Sequence, residues 1–335
     1  MKSPINGKEM KLMKENRTLT FRKEEYKVLY HFYICQESKE QFTNAELDEI
    51  NLNQLYNQYR EAHHLPFPDE IIAIRGEYKL PAIKMAEILG FGVNVYRNYE
   101  SGEVPSESNA RLIQLAKDPR KFKDLVEISK VYEGDELQKI IRHIEKLIEE
   151  DRKNLFRLSF QEYLLGSKQP DVFSGYKIPS LEKLTEMVVF FTQELEPWKT
   201  KLNKLLFYAD FLNYKKTCYS ISGTRYRAID MGPVPNNFNS IFEYIANNDD
   251  VDVYPIDFKD GKMGEQFKPN PKRKFNSGIF TENELNVLKE VVLCFEKTKT
   301  NDIIKISHQE KAWDDNFNAG KKLINYNYSF ELMAV

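Results

Sequence analysis

A chain of 335 residues, 41% hydrophobic, can form two or three units that each bury a core, while its net charge of −2 excludes a surface coated with cations for permanent nucleic-acid binding. Any DNA contact must therefore be local. Cys35, Cys218 and Cys294 are too few and too scattered for a disulfide framework, which fits a cytoplasmic compartment. The charged opening MKSPINGKEMKLMKENRTLTF reads as neither a signal peptide nor a membrane span.

Residues 17–35, RTLTFRKEEYKVLYHFYIC, alternate β-formers about the charged turn Arg22-Lys23-Glu24-Glu25, which predicts a hairpin. Phe21, Tyr26, Leu29, Phe32 and Tyr33 are the side chains expected to hold it. A helix follows over about 43–60, with Thr43 or Asn44 as cap, Glu46 in its first turn, and Leu47, Ile50, Leu55 and Tyr59 on its apolar face. The prolines of HLPFPDE at 64–70 mark a boundary. Short helices are then predicted at about 69–77, 81–89, 92–99 and 106–117, separated by Gly90 and SGEVPS. More helix follows Asp118-Pro119. The longest, near 135–153, carries the stripe Leu137, Ile140, Ile141, Ile144, Leu147 and Ile148, which can pack within the chain or pair two protomers. Its neighbouring charges, EKLIEEDRK, read as a solvated face with local ion pairs.

The Gly, Pro and Ser of LLGSKQPDVFSGYKIPS at 164–180 mark the main domain boundary. Beyond it, helices at about 180–194 and 199–213, strands around 219–230 and 251–258, and helices at 281–297 and 300–306 read as α+β. GKMGEQ at 261–266 reads as a turn between strands rather than a phosphate-cradling loop. Cys294, within VVLCF, reads as a small core residue and Cys218 as a loop or strand thiol. The expected organisation is multidomain and mainly α: a small β-hairpin unit at 1–66, a helical domain at 67–119, a helical connector at 120–175 and an α+β domain at 176–335.

The stretch IRGEYKLPAIKMAEILGFGVNVYRNYESGEVPSESNARLIQLAKDP resembles the Xre/Cro-type helix-turn-helix of repressors and MqsA-type antitoxins. Leu80, Met85, Ala86 and Leu89 give the second helix a buried face, small Ala86 admits the next helix, and Gly90 allows the tight turn. Tyr99-Glu100 followed by Ser101-Gly102 match the family's helix ending. The resemblance implies a third helix that enters the major groove. Asn94 stands where MqsA-type proteins carry a base-contacting asparagine, an amide that can bond two edges of adenine, and Tyr96, Arg97 and Asn98 follow as further DNA-binding residues. Pro81-Ala82 replace the Gln with which many members clamp the DNA backbone. Operator DNA would need a homodimer, since one module buries little surface; the alternative is a unit that only packs or dimerises.

Upstream, MKSPIN and ICQES are similar to the zinc unit of MqsA-type antitoxins, which opens with MKCPxC and closes with CxxC. Ser3 and Asn6 occupy the first ligand pair, and Cys35 and Ser38 the second. One cysteine cannot supply a tetrahedral site, and His31, His63 and His64 are irregularly spaced. No metal or other cofactor is expected.

LNKLLFYADFLNYKKTCYSISGTRYRAIDMGPVP and NDIIKISHQEKAW resemble the Panacea (SocA-like) domain of antitoxins over about 180–325. The resemblance implies a domain that binds and silences protein toxins. By residue type, Leu202, Leu205, Leu206, Ala209 and Leu212 form a core stripe, and Gly232-Pro233 with Pro235 make a rigid turn after Asp230. Such a turn presents side chains with little entropy to lose on binding. Tyr208, Asp210, Tyr226, Arg227, Met231 and the NNFN run led by Asn236 and Asn237 are the candidate toxin-facing group. The expected function is that of a type II antitoxin without enzymatic activity, which neutralises a cognate toxin and represses its own operon. Alternatives are a proteolytic adaptor, a phage-associated DNA-binding regulator, or a hydrolase using His308 with Asp210, Asp230 or Cys218. No nucleophile motif surrounds Cys218 or Ser307, and His308 and Trp313 can equally lock the last helix onto the domain.

Overall fold

Arg22 and Lys23 adopt positive φ values of 48° and 71°, the two-residue reversal whose twist suits paired strands. They join β1 (Lys11–Phe21) to β2 (Glu24–Ile34), antiparallel in register from Phe21 opposite Glu24 to Lys11 opposite Ile34. The hairpin therefore starts at Lys11 rather than near Arg17, because pairing with β2 carries the polar KLMKEN stretch into the sheet. β3 (Gln41–Phe42) pairs only with Tyr33 and Ile34, leaving most of the other β2 edge uncovered by strand.

Helix α1 (Ala45–Ala62), capped by the Asn44 side chain on Leu47 N, covers that edge. Asn51 exchanges two hydrogen bonds with the His31 backbone at 2.8 and 2.9 Å. Gln54 does the same with Leu29 at 2.9 Å, and Gln58 Nε2 donates to Lys27 O at 2.9 Å. One and two helical turns thus match alternate residues of the strand, so three side-chain amides stand in for a missing neighbour and satisfy otherwise orphaned backbone groups. The expected aromatic clamp is present beside this ladder: Phe21 packs on Tyr59 with ring centroids 4.9 Å apart, and Phe32 is buried.

Five helices follow: α2 (Pro68–Glu77), α3 (Ala82–Ile88), α4 (Val95–Glu100), α5 (Glu107–Leu115) and α6 (Pro119–Ser129). Proline opens α2 and α6, where its missing N–H costs nothing, and the Ser106 and Asp118 side chains cap α5 and α6. Their shared core contains Ile71, Met85, Ala86, Tyr96, Ile113 and Phe122. The stripe on α7 (Gly134–Leu165) packs onto this core, with Ile144 fully buried and Leu137, Ile140, Ile141, Leu147 and Ile148 half-buried. Beside the stripe, Glu145 pairs with Lys123 and Lys146 with Glu150.

The computed structural model describes residues 1–166, 169–257 and 263–335, with the backbone alone over 151–158. It divides into two compact units, Met1–Phe156 and Arg157–Val335. The division falls inside α7, which runs on to Leu165, and not at 164–180. The end of α7 belongs to the second unit because Phe160 packs on Tyr244 and Gln161 donates to Pro179 O at 2.9 Å. Ser167 and Lys168, within the expected boundary, lie outside the described residues.

The second unit is built around α9 (Lys199–Thr217), whose residues from Lys201 to Tyr214 are all buried. Against it pack α8 (Leu181–Leu195), the hairpin of β4 (Tyr226–Ile229) and β5 (Gly232–Pro235), α11 (Glu282–Phe295), α12 (Thr300–Gln309) and a 3-10 turn over Tyr326–Glu331. α10 (Phe238–Asn247), the antiparallel pair β6 (Val251–Asp257) and β7 (Met263–Pro269), and α13 (Lys311–Asn318) complete it. The fold is therefore multidomain and mainly α, with small antiparallel sheets. Met263–Gln266 of the expected GKMGEQ turn are strand, and Gly261 and Lys262 lie outside the described residues. Cys294 is exposed, since Val291 and Phe295 take the inward face of α11. Cys218 is buried at the left-handed C-cap of α9. Among the described residues, no helix is long and apolar enough to cross a membrane.

Candidate functional site

The best-determined polar group of the second unit is Asp210, fully buried in mid-α9. Its carboxylate accepts from Ile221 N and Ser222 N at 2.8 Å, from Ser222 Oγ at 2.6 Å and from Tyr226 Oη at 2.8 Å. Burial pushes its pKa up, and the bonds from Ser222, Tyr226 and Ile221 oppose that rise. These bonds pin the loop after α9 and the root of β4, which is why the strand expected from residue 219 begins only at Tyr226. Tyr226 also packs edge-on to Phe207 and Phe211. Tyr208 stacks on Phe295, and its hydroxyl donates to the buried Glu310 carboxylate at 3.3 Å. Tyr208, Asp210 and Tyr226 are therefore core residues and face no partner; each aromatic or carboxylate group is spent inside the domain.

The β4–β5 hairpin stands on this core. Gly232 turns it at φ +95°, and a Cβ there would lie 2.5 Å from Ser307 Oγ and 2.6 Å from Lys204 Cε. Only glycine fits both the backbone and the space. Lys204 is wholly buried, donates from Nζ to Pro233 O at 2.9 Å and has no carboxylate in ion-pair range among the described residues. Burial lowers its pKa to about 7. On the other side, Trp313 Nε1 donates to Ile229 O at 2.8 Å, and the Trp313 ring stacks on His308 at 3.8 Å between centroids. Burial, then the nearby Lys204, lowers the His308 pKa, while a bond with the Asp230 backbone opposes this. Ser307 Oγ donates to its own helix at Ile304 O. His308 and Trp313 thus lock α12 and α13 onto the hairpin. The carboxylates weighed for a hydrolase are engaged elsewhere: Asp210 in the core, and Asp230 with Lys321 at 2.5 Å.

What the hairpin presents outward is a rim of the remaining candidates. Met231 at its tip is 48% exposed. Half-buried Arg227 donates from Nε to Asn236 Oδ1 at 2.8 Å and from Nη1 to Lys321 O at 2.9 Å, which fixes its guanidinium in place. Asn237 ties the rim to the end of α7 through Tyr163 O and Leu164 O. Arg227 and Asn236 are paired, with Asn237 next in sequence, at the foot of the hairpin, whereas Met231 stands at its tip; the hairpin thus offers a held guanidinium and amides at one end and an exposed apolar side chain at the other. Sequence reading missed Lys204 and Glu310, although a lysine inside the stripe Leu202, Leu205, Leu206 was the available signal.

In the first unit, α3 and α4 are joined through Gly90 at φ +72° and Gly92. Asn94, Arg97 and Asn98 are exposed, and their side chains make no hydrogen bond or ion pair among the described residues. Tyr96 is the correction: its ring is fully buried, and its hydroxyl donates to Ile71 O at 2.8 Å, so it anchors α4 instead of facing a ligand. Pro81 precedes α3 without any side-chain cap.

Ser3, Asn6, Cys35 and Ser38 converge at the open end of the hairpin. Asn6 Nδ2 lies 3.5 Å from the buried Cys35 Sγ, and hydrogen bonds from Ser38 and Ser3 help bring the thiol down to about 6. Among the described residues, no group of three or more metal-ligating side chains gathers there or elsewhere.

The chain matches no curated protein. Residues 202–314 match the family model described as antitoxin SocA-like, Panacea domain, a span that contains most of α9 with Lys204 and Asp210, the β4–β5 hairpin, α10 to α12 and the His308–Trp313 stack, so the core of the second unit is similar to a Panacea-type antitoxin-like domain.

Proposed function

We propose that the chain is the antitoxin of a type II toxin–antitoxin system, without enzymatic activity, acting in the cytoplasm. The second unit captures a cognate protein toxin on the hairpin rim of Arg227, Met231, Asn236 and Asn237. The first unit, as a homodimer, binds operator DNA through Asn94, Arg97 and Asn98 and represses the operon. The observation that carries this reading is the family match across residues 202–314, the span in which a buried core carries a hairpin with an exposed apolar tip and, toward its foot, an arginine held by Asn236. Methionine and arginine suit such a surface, since they give area and planar hydrogen bonding at low ordering cost. On the DNA side, the exposed side chains of Asn94, at the N-cap position of α4, and of Arg97 and Asn98 on it have no internal partner among the described residues, the condition for reading base edges.

The test is co-expression with the product of the adjacent gene. The wild type is expected to rescue growth and to co-purify with that product, while Met231→Asp together with Arg227→Ala weakens capture at least ten-fold with the fold intact. Full capture by the double variant would remove the rim as the toxin site. Rescue that required a host protease would favour the adaptor alternative.

A further inference from the structure

We infer that Val93 is a specificity-determining residue of the DNA interface, reading the 5-methyl group of a thymine on the same base pair as the adenine read by Asn94, or on the next one. This rests on the DNA-binding reading of α3 and α4 and deepens it by naming a base. A single exposed valine is ordinary on a protein surface; its company is what distinguishes this one. Val93 is 59% exposed and lies between exposed Gly92 and exposed Asn94, followed by exposed Arg97 and Asn98. The inward face of α4 is already filled by Tyr96 and Tyr99, with half-buried Val95 packed on the same core. Val93 is therefore the apolar member of an otherwise polar face and contributes nothing to the core.

In the major groove the thymine methyl is the apolar feature on base edges whose other groups are hydrogen-bond donors and acceptors. Consecutive Cα atoms are about 3.8 Å apart and stacked bases about 3.4 Å along one strand. A side chain next to an adenine-reading asparagine thus reaches the same base pair or its neighbour. Burying one methyl against valine corresponds to roughly a four-fold change in affinity.

The experiment selects duplexes from a randomised library with the full-length chain, then replaces each enriched thymine singly by deoxyuridine, which removes only the methyl. The wild type is expected to lose about four-fold in affinity at a thymine within one base pair of the adenine whose preference Asn94→Ala abolishes. Val93→Ser should bind the thymine and uracil duplexes equally, whereas Val93→Ile should keep the preference; circular dichroism checks that both variants fold. Equal wild-type binding of both duplexes at every enriched position overturns the assignment while leaving DNA binding standing, as does a preference that survives in Val93→Ser. If no sequence is enriched, the DNA-binding reading fails and this inference fails with it.

Discussion

Lys204 shows how one residue can couple the stability of the β4–β5 hairpin to pH. Its amine is buried with no counter-charge in ion-pair range among the described residues and titrates near 7 in the folded chain, against 10.5 ordinarily. Between those values the unfolded chain holds more protons than the folded one, so this group makes stability rise with pH across that window and adds no slope below about 7. Denaturant melts at pH 7 and pH 10 should therefore show the wild type gaining stability relative to Lys204→Met; parallel curves would mean that the amine is not protonated differently in the two states. Asp210 works in the opposite sense, as a hub. Asp210→Ala strips partners from two backbone N–H groups and the Tyr226 hydroxyl, and should cost about 3–5 kcal/mol by analogy with breaking a buried charged network. Neither role was legible from residue type alone. Asp210 and Tyr226 read as interface residues because tyrosine and aspartate near a rigid turn suit an interface as well as a core, and only burial separates the two.

At the scale of elements, periodicity located most helices, because a buried face must recur every three or four residues whatever it packs against. It gave no hint that the α1 face includes Asn51, Gln54 and Gln58, whose amides look solvent-facing until β2 lies beside them with unpaired backbone. Gln54→Leu should destabilise the first unit by about 1–3 kcal/mol, the cost of leaving the Leu29 N–H and C=O without partners; a loss within 0.5 kcal/mol in urea melts would show that water replaces the ladder freely. The same ladder offers a physical account of what holds the hairpin to the rest of the first unit. The α10 and α13 helices went unread because each is short and bounded by asparagines and charges that also suit loops.

For the whole molecule, two units with separate cores imply that the two proposed activities can be separated by mutation. Asn94→Ala should derepress the operon and leave toxin rescue unchanged, whereas Met231→Asp should do the reverse; a reporter fusion and a growth assay read the two outcomes. Loss of both activities from either substitution would contradict this separation.

Sequence by itself determined the mainly helical class, the N-terminal hairpin, most of the helices and the resemblance of the C-terminal half, because these depend on local propensity, hydrophobic period and contiguous motifs. The resemblance to a helix-turn-helix also brought Asn94, Arg97 and Asn98 forward as candidates, since contiguous motifs are visible in one dimension. Tertiary structure alone decided which polar residues face inward: Tyr96, Tyr208, Asp210, Tyr226 and Lys204 are buried, while Arg227 and Met231 remain on the rim. It also placed the division between units inside a continuous helix. Burial depends on what packs from distant parts of the chain, and no local pattern records that.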